Sequence, residues 1–474
     1  MSVLSRDVPA APTRGNRRAA PVGRRAAADA TVRLLATSAL WLSLLLVTYW
    51  WDADGGIRDL GGWVTGLDSL GRLTGLVASV LLLAQVVLMA RVPRLEAAYG
   101  QDRLAHLHRL VGFTSFNLLL THIVLITWGY AAGQLSQTPA TLWNLVVSYP
   151  GMLLATGGTV CLFLVVVTSI KAARRRIRYE SWHLLHLYAY VGVGLALPHQ
   201  LWTGQQFLSS PGRTFFWWTA WAVAAGSVLV WRVGLPVWRN LWHRLEVTSV
   251  VRETDDVVSV YLTGRRLHRL RVEAGQFFTW RFLGRPGWTR ANPYSLSAAP
   301  DGRSLRITAA HVGDGAARLA TLRPGTRVLV EGPYGRLHAG VRTRSKVLLM
   351  GAGIGITPLR ALLEGLEPSA DVVVVHRASD GDGLVLSREL AALAQDRGAR
   401  YVTVPGPRVR GRASWLPQAA AQLTDPQALA QLVPDVAERD VFLCGAPGWM
   451  DAARAAVLQC GVPEEQVHLE RFTY

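Results

Sequence analysis

The sequence predicts an all-α membrane bundle of six helices, followed by an antiparallel β-barrel and an α/β Rossmann-like domain. Three observations predict it: long apolar segments fill the first half of the chain, short β-rich runs follow, and later a Gly-rich turn separates a strand from a helix. A chain of 474 residues, 50% of them hydrophobic, is too long for one domain and too apolar to be wholly soluble. We expect domain boundaries at 1–33, 34–240, 241–340 and 341–474.

Composition excludes several classes of protein. Lys and Arg total 50 against 32 Asp and Glu, a formal net charge of +18, and such a basic chain invites a nucleic-acid interpretation. The Arg residues cluster in the N-terminal tail and beside apolar runs, which is typical of orientation signals in membrane proteins. We therefore expect no nucleic-acid partner. Three widely spaced cysteines support neither a disulfide framework nor a Cys₄ metal site.

Six segments have roughly the 20 apolar residues that a bilayer crossing requires. They are 34–51, 70–90, 107–128, 151–170, 182–202 and 214–231. Arg and Lys follow the second, fourth and sixth spans, whereas no charged residue lies from Gly129 to Gly151. The positive-inside rule then predicts an integral plasma-membrane protein with six spans and both termini cytoplasmic. We expect residues 1–33 to be a disordered cytoplasmic arm rather than a cleaved signal peptide.

Four histidines within two of these spans form a pattern. His108 and His122 are about 21 Å apart along the third span, and His186 and His199 about 19.5 Å apart along the fifth. Both helices enter from the cytoplasm, so His108 pairs in depth with His186, and His122 with His199. Two imidazole pairs at two depths are what two stacked b-type haems with axial His ligands need.

Alternatives to this ligand set remain open at the level of sequence. On an ideal helix His186 and His199 are about 140° out of line, although Pro198 can re-aim the last turn. His183 and His106 are rival inner ligands. A hydrogen bond to a neighbouring helix is the ordinary explanation for any single histidine within the membrane.

The cytoplasmic half opens with β-rich runs separated by Gly, Pro and Asp turns, a pattern typical of a small antiparallel barrel. The runs are Leu245–Val251, Val257–Leu262, Gln276–Phe282, Ser304–Ala309 and Arg327–Val330.

A predicted strand at Lys346–Met350 then leads into Gly351-Ala-Gly-Ile-Gly-Ile-Thr-Pro358 and a helix at Leu359–Leu366. Strand, Gly-rich turn and helix together predict a phosphate cradle, with a ligand-free tight turn as the alternative. The next strand ends in His376-Arg377, and Arg377 is suited to pair with a 2′-phosphate. NADPH is therefore preferred to NADH, unless Arg377 is simply a solvated surface residue.

Five motifs in order complete the pattern: Asn292-Pro-Tyr-Ser-Leu-Ser297, Gly313-Asp-Gly315, Glu331-Gly-Pro-Tyr-Gly335, the turn at 351–358, and Cys444-Gly445 with Glu470-Arg-Phe472. This series resembles the ferredoxin-reductase-type flavoprotein module. Joined to a six-span domain with paired histidines, the chain over roughly residues 34–474 resembles the NADPH oxidase and ferric reductase family.

The resemblance implies FAD as a cofactor and assigns roles to residues. Tyr294 would lie against the flavin ring beside Pro293, and Ser295 would bond near N5. The turn Gly313, Asp314 and Gly315 would hold the FAD pyrophosphate, and Gly351, Gly353, Gly355, Thr357 and Pro358 would cradle the NADPH phosphates. Cys444 and Gly445 would sit beside the nicotinamide, with Phe472, or its rival Tyr474, over the other flavin face. Asn292 stands where the family usually has Arg or His, so Arg290 would supply that charge.

These expectations describe a transmembrane oxidoreductase that carries electrons from cytoplasmic NADPH through FAD and two b-type haems to an extracytoplasmic acceptor. A ferric chelate is the first candidate acceptor, O₂ giving superoxide the second, and an extracytoplasmic partner protein the third. From another class, the chain would be a non-catalytic haem-binding or transport protein. Asp52, Asp54, Asp59 and Asp68 on the outer side suggest attraction of a cation, or plain solubility.

Overall fold

The computed structural model describes residues 24–174, 176–177, 179–284, 288–310, 318–381 and 383–470. Its N-terminal half is helical. The helices, in order, are α1 (Arg24–Ala53), α2 (Gly56–Asp59), α3 (Trp63–Met89), α4 (Pro93–Tyr99), α5 (Gln101–Tyr130), α6 (Thr138–Ser148), α7 (Met152–Ser169), α8 (Lys171–Arg174), α9 (Tyr179–Trp202), α10 (Gln205–Leu208), α11 (Pro211–Ser227) and α12 (Leu235–His243). A π-helical turn, Val228–Gly234, connects the last two.

Five helical segments of the described chain are long and apolar enough to cross a membrane. They are Ala27–Ala53, Trp63–Met89, Gln101–Tyr130, Met152–Ser169 and Pro211–His243. The fifth predicted span forms the 24-residue helix α9, which is not among these five, and its polar residues include three histidines and a glutamine.

Helix α1 begins at Arg24, ten residues before the predicted start of the first span. The Ala-rich sequence there has high helix propensity, which explains the longer helix. The predicted arm is therefore helical in its last ten residues, and residues 1–23 lie outside the described part of the chain.

Helices α7 and α9 approach closely because both carry glycine at their contact. A Cβ atom added to Gly158 would come within 2.6 Å of the Gly192 carbonyl oxygen, and one on Gly192 within 2.9 Å of the Gly158 oxygen. Small residues at such a crossing let two membrane helices pack backbone to backbone. This contact brings α9, which carries three histidines, closely against α7.

A six-stranded antiparallel sheet follows the helices, in the order β4-β3-β6-β1-β2-β5. Its strands are β1 (Leu245–Thr254), β2 (Val257–Thr263), β3 (Phe277–Phe282), β4 (Asn292–Ser295), β5 (Ser304–Ala310) and β6 (Arg327–Tyr334). The two edges approach each other through an isolated bridge between Leu296 and Ile307. Strand β4 was not among the predicted runs, because its Pro293 is atypical of a strand interior.

The last domain is a five-stranded parallel sheet in the order β11-β10-β7-β8-β9. The strands are β7 (Lys346–Ala352), β8 (Asp371–Ala378), β9 (Arg400–Pro405), β10 (Asp440–Cys444) and β11 (Val467–Leu469). The helices are α13 (Ile356–Gly365), α14 (Ser387–Asp396), α15 (Asp425–Leu432) and α16 (Pro447–Gln459). Buried Val and Leu on both faces of β7 and β8 are typical of a parallel sheet covered by helices.

Candidate functional site

The four predicted histidines meet in two pairs between α5 and α9. The rings of His108 and His186 have centroids 5.9 Å apart, and those of His122 and His199 lie 6.3 Å apart with planes only 7° from parallel. Two metal–imidazole bonds of about 2 Å each, plus the ring radii, place centroids about 6 Å apart. Both pairs therefore have about the separation that one metal ion bound by two imidazoles would require.

Each imidazole is oriented by a hydrogen bond at Nδ1. His108 Nδ1 lies 3.3 Å from the Gln85 carbonyl oxygen, and His122 Nδ1 lies 2.8 Å from that of Gly71. On α9, His199 Nδ1 lies 3.4 Å from Thr203 Oγ1, whose own hydroxyl donates to the His199 carbonyl at 2.7 Å. A histidine that donates from Nδ1 leaves Nε2 for a metal, which is the usual arrangement of ligating histidines.

Glycine makes room for one of these rings. A Cβ atom on Gly75 of α3 would lie 2.6 Å from Nδ1 of His122, so a larger residue there would displace the imidazole.

The two rival histidines lie elsewhere. His106 is exposed, and His183 lines a cavity below the first pair. Pro198 lies inside α9, and His199 faces His122 in spite of the helical phase expected from sequence.

A cavity of about 1940 Å³ lies where the helical half meets the two sheets. Its lining includes Arg33, Arg91, Arg103, Arg109, Arg174, Arg232, Arg281, Arg290, Arg336, Arg342 and Arg454. Arg290, Asn292 and Pro293, three of the predicted cofactor residues, lie in the same wall. The same wall carries eight carboxylates, several of them paired with these arginines: Asp29, Asp102, Glu273, Glu331, Glu367, Glu464, Glu465 and Glu470. A cavity of this size with an excess of arginine in its wall suits a large anionic ligand such as a dinucleotide.

Arginines fix the antiparallel sheet against the helices around this cavity. The Arg91 guanidinium lies 4.1 Å above the Tyr334 ring and donates to Glu96 at 2.8 Å. From the other side, Arg336 donates to the carbonyl oxygens of Ala97 and Ala98, both at 2.7 Å, near the end of α4. Cations at a helix C-terminus satisfy its free carbonyls and complement its dipole. The cavity wall is therefore built by both halves.

Ser295 carries an unpaired polar atom. Its side chain is 7% exposed, and its Oγ has no hydrogen-bond partner among the described residues. A buried hydroxyl without a partner is destabilising, so such an atom commonly awaits a ligand. Beside it, Tyr294 packs on the core of the antiparallel sheet and accepts a bond from Trp280 Nε1 at its carbonyl.

The Gly-rich turn and the Cys444 region meet at the carboxyl edge of the parallel sheet. Cys444 stands opposite Gly351 in the ladder, and a Cβ on Gly355 would clash with the Cys444 carbonyl oxygen. Gly353 has φ +55° and open space around its missing side chain. Thr357 and Pro358 are buried in the first turn of α13, and a Cβ atom added to Gly445 would lie 2.9 Å from Cβ of Ala352. Burial raises the pKa of the Cys444 thiol, which therefore stays protonated.

Arg377 does not project into this site. It is buried, and its guanidinium donates to the carbonyl oxygens of Trp415, Val404 and Pro407. The expectation that it pairs with a 2′-phosphate is thus unsupported, because its donors are occupied inside the domain.

Two other arginines, Arg408 and Arg410 just past β9, are exposed near the same sheet edge. Neither was among the predicted site residues, and the sequence signal that indicates them is a short basic run directly after a strand.

Glu470, after β11, lies beside the Glu331-Gly-Pro-Tyr-Gly335 motif. A Cβ on Gly335 would come within 2.5 Å of its carboxylate, and its Oε2 has no hydrogen-bond partner among the described residues. Burial, with Asp102 and Glu96 nearby, raises its pKa well above the ordinary value.

Five of the predicted site residues lie outside the described residues: Gly313, Asp314, Gly315, Phe472 and Tyr474.

An antiparallel sheet followed by a parallel sheet with a Gly-rich first turn defines the class of two-domain flavin reductases. Comparison with known proteins agrees. Residues 74–197 match the family model described as ferric reductase like transmembrane component. An NADPH oxidoreductase of Mycobacterium tuberculosis is 28% identical over 50% of this chain and 62% of its own length. The chain thus spans less than two thirds of that relative.

Ferredoxin–NADP reductase B of Sorangium cellulosum is 30% identical over 42% of this chain and 85% of its own length. Among solved structures, the FAD/NAD-binding domain of a Vibrio cholerae nitric oxide dioxygenase is 24% identical, with a TM-score of 0.40, over 48% of this chain and 98% of that one. The chain belongs to the ferredoxin-reductase type of NAD(P)H-dependent flavin oxidoreductases, here joined to a ferric reductase-like transmembrane component.

Proposed function

We propose that the protein is a transmembrane oxidoreductase that passes electrons from cytoplasmic NADPH, through FAD and two b-type haems, to a ferric chelate on the outer side. The observation that carries the proposal is the two facing histidine pairs between α5 and α9, with an arginine-rich cavity below them. When bound, the flavin accepts a hydride and gives up electrons singly, and haem iron carries one electron at a time.

Haem suits the histidine pairs better than a bare metal ion. Within the described part of the chain no group of three or more His, Cys, Asp or Glu side chains converges on one point. Two imidazoles alone make an incomplete site for zinc, whereas a porphyrin supplies the other four nitrogens around iron. His108 and His186 would hold the inner haem, and His122 and His199 the outer one.

FAD suits the arginine-lined cavity between the helices and the two sheets, called the junction cavity below. Ser295 would donate its unpaired hydroxyl toward the flavin near N5, and Tyr294 would lie against the ring. Arg290 would neutralise phosphate charge. Gly351, Gly353 and Gly355 would let the nucleotide backbone approach the start of α13, where the free N–H groups of a helix favour an anion. Cys444 and Gly445 at the neighbouring strand end would border the nicotinamide.

The preference for NADPH now depends on Arg408 and Arg410. Both follow β9, whose end lies in register with that of β8 through Pro405 and Ala378. Two exposed guanidinium groups there are suited to bind a 2′-phosphate in place of Arg377.

Six crossings and a closed barrel belong to the same proposal. Helix α9 is about 36 Å long, enough to cross a bilayer, and carries half of the haem ligands. With it, the chain crosses six times, both termini are cytoplasmic, and the cavity is on the NADPH side. The bridge between Leu296 and Ile307 would close the antiparallel sheet into a barrel.

The ferric acceptor is proposed on the match of residues 74–197. The outer carboxylates add little to it. Asp54 binds Arg213 at 2.6 Å and Asp59 binds Arg72 at 2.7 Å, so both charges are compensated. The charge of these carboxylates therefore does not distinguish a ferric chelate from O₂ or an outer partner protein. The experiment below separates the first two.

The deciding experiment follows NADPH oxidation by the purified, FAD-loaded protein under strict anaerobiosis with a ferric chelate, beside an aerobic sample assayed for superoxide. The proposal expects rapid anaerobic iron reduction and little superoxide in air. Turnover only in air, with superoxide formed, would replace the ferric acceptor by O₂. Colourless protein without low-spin haem or flavin would overturn the proposal itself.

A further inference from the structure

Trp182 lies between the junction cavity and the inner histidine pair. Its indole lines the cavity, and its ring centroid is 5.0 Å from that of His186, with planes inclined by 36°. One edge of the same side chain therefore faces the compartment proposed for the flavin, while its body packs on a ligand proposed for the inner haem. No role of this residue follows from the motifs of the sequence.

Ser169 at the end of α7 holds the two rings together. Its hydroxyl donates to the Val165 carbonyl oxygen at 2.7 Å, so its Oγ is left to accept. Trp182 Nε1–H donates to that Oγ at 3.3 Å, and His186 Nδ1 lies 3.4 Å from it. The serine thereby fixes the indole and also the tautomer that leaves His186 Nε2 for iron.

Arg174 also contacts the indole. Its guanidinium carbon lies 4.4 Å from the Trp182 ring centroid, within the range of a cation–π contact. A cation at this distance disfavours removal of an electron from the ring. The indole is therefore suited to be a packed contact across which electrons tunnel, and unsuited to be oxidised itself.

We propose that Trp182, oriented by Ser169 and Arg174, is the positioning residue that couples the flavin electronically to the inner haem. This inference rests on the proposed function. One hydride from NADPH supplies two electrons, which cross singly and reduce two ferric ions to ferrous, with NADP⁺ and one proton as the other products. No bond of Trp182 forms or breaks. The indole fills the gap between the flavin compartment and His186 with packed atoms. Electron transfer across an unfilled gap would be slower.

The test uses Trp182→Leu, which removes the aromatic ring, and Trp182→Phe, which keeps an aromatic contact but loses the bond to Ser169. Trp143→Leu, at a residue 69% exposed on α6, is the matched control. Haem content, the dithionite-reduced spectrum and the haem midpoint potentials are measured first. Haem reduction by NADPH is then followed by anaerobic stopped flow.

We expect Trp182→Leu to keep both haems and their potentials and to slow NADPH-driven haem reduction about tenfold, equivalent to about 1.4 kcal/mol in the barrier. Trp182→Phe recovers most of the rate, and Trp143→Leu matches the wild type. An unchanged rate in Trp182→Leu overturns the coupling role. Loss of haem in both Trp182 variants also overturns it, in favour of a purely structural role. Wild-type protein without haem would instead overturn the proposed function.

Discussion

The imidazole rings of His122 and His199 stand parallel, 6.3 Å apart, although 77 residues separate them in the chain. Their planes are inclined by only 7°, and the separation is about that of two imidazoles bound to one metal ion. His122 is held by the Gly71 carbonyl oxygen and by the absence of a side chain at Gly75. The space between the rings is thus maintained by the protein, as a preorganised ligand pair requires.

Replacing His122 by Leu tests this pair. We expect loss of one of two low-spin haems, with the inner haem still reduced by NADPH and transfer to the outer acceptor abolished. Pyridine haemochrome content and the reduced-minus-oxidised spectrum provide the measurement. His106→Leu, at the exposed histidine of the same helix, is the control and should retain both haems. Full haem content in His122→Leu would contradict the assignment.

His186→Ala, with His183 intact, distinguishes the two candidate inner ligands. Since His186 faces His108 and His183 lines the cavity, we expect loss of the inner haem and of NADPH-driven reduction of the outer one. Retention of both haems in the optical spectrum would assign the inner site to another residue.

Ser295→Ala separates a flavin contact from a structural role. The Ser295 hydroxyl is buried without a described partner, so its removal should leave the melting temperature unchanged or slightly higher. If the hydroxyl bonds to the flavin, hydride transfer should slow about tenfold, the equivalent of about 1.4 kcal/mol. Stopped-flow flavin reduction and thermal unfolding measure the two effects. A lower melting temperature with unchanged flavin reduction would contradict the prediction.

Sequence reasoning succeeded where chemistry depends on local spacing. The depths of His108 and His186 follow from helix rise, and the turn at Gly351–Gly355 follows from a strand-to-helix pattern. It failed where a side chain's partners come from distant segments. Nothing near Arg377 in sequence indicates that carbonyls near Trp415 would occupy its guanidinium. The phase of His199 was equally beyond an ideal-helix estimate, and Pro198 lies directly before it inside α9.

The junction cavity shows the same limit more strongly. Arg91 and Tyr334 are 243 residues apart, and their contact forms only when the antiparallel sheet docks against the helices. Composition indicates the excess of arginine but not its convergence on one wall.

Gly353→Ala tests the phosphate cradle against a matched control. Gly353 has φ +55° with nothing within 4 Å of the added Cβ, and Gly398 has φ +62° with equally open space away from the site. Alanine at either position should strain the backbone by about 1 kcal/mol. Only Gly353→Ala should raise the KM for NADPH, by about tenfold, because its methyl group occupies the phosphate approach. Equal KM values in the two variants would contradict a cradle.

Replacing both Arg408 and Arg410 by Ala tests nucleotide preference. We expect kcat/KM for NADPH to fall about tenfold and that for NADH to stay the same, since only NADPH carries the 2′-phosphate. Arg412→Ala is the control, because its guanidinium already donates to the carbonyl oxygens of Ala421 and Leu423. A parallel fall for both nucleotides would place these arginines outside the specificity site.

His376 predicts a specific acid sensitivity of the nucleotide domain. Burial lowers the pKa of His376 to about 4 from an ordinary value of 6.5, and Tyr401 lies 2.9 Å from its Nδ1. Between these two pKa values the unfolded chain binds a proton that the folded domain does not. Stability therefore falls as pH drops from 6.5 towards 4, by about 2 kcal/mol at pH 5, and is unaffected above 6.5.

His376→Gln removes this titration while keeping an acceptor for the Tyr401 hydroxyl. The drop in melting temperature between about pH 7 and about pH 5 should be smaller in the variant than in the wild type. Thermal unfolding followed by intrinsic tryptophan fluorescence measures it, and other titrating groups cancel in the comparison of the two proteins. A buried neutral imidazole binds fewer protons at about pH 5 than an exposed one, so an equal drop in both proteins would contradict the prediction. It would mean that His376 is protonated alike in the folded and unfolded chain.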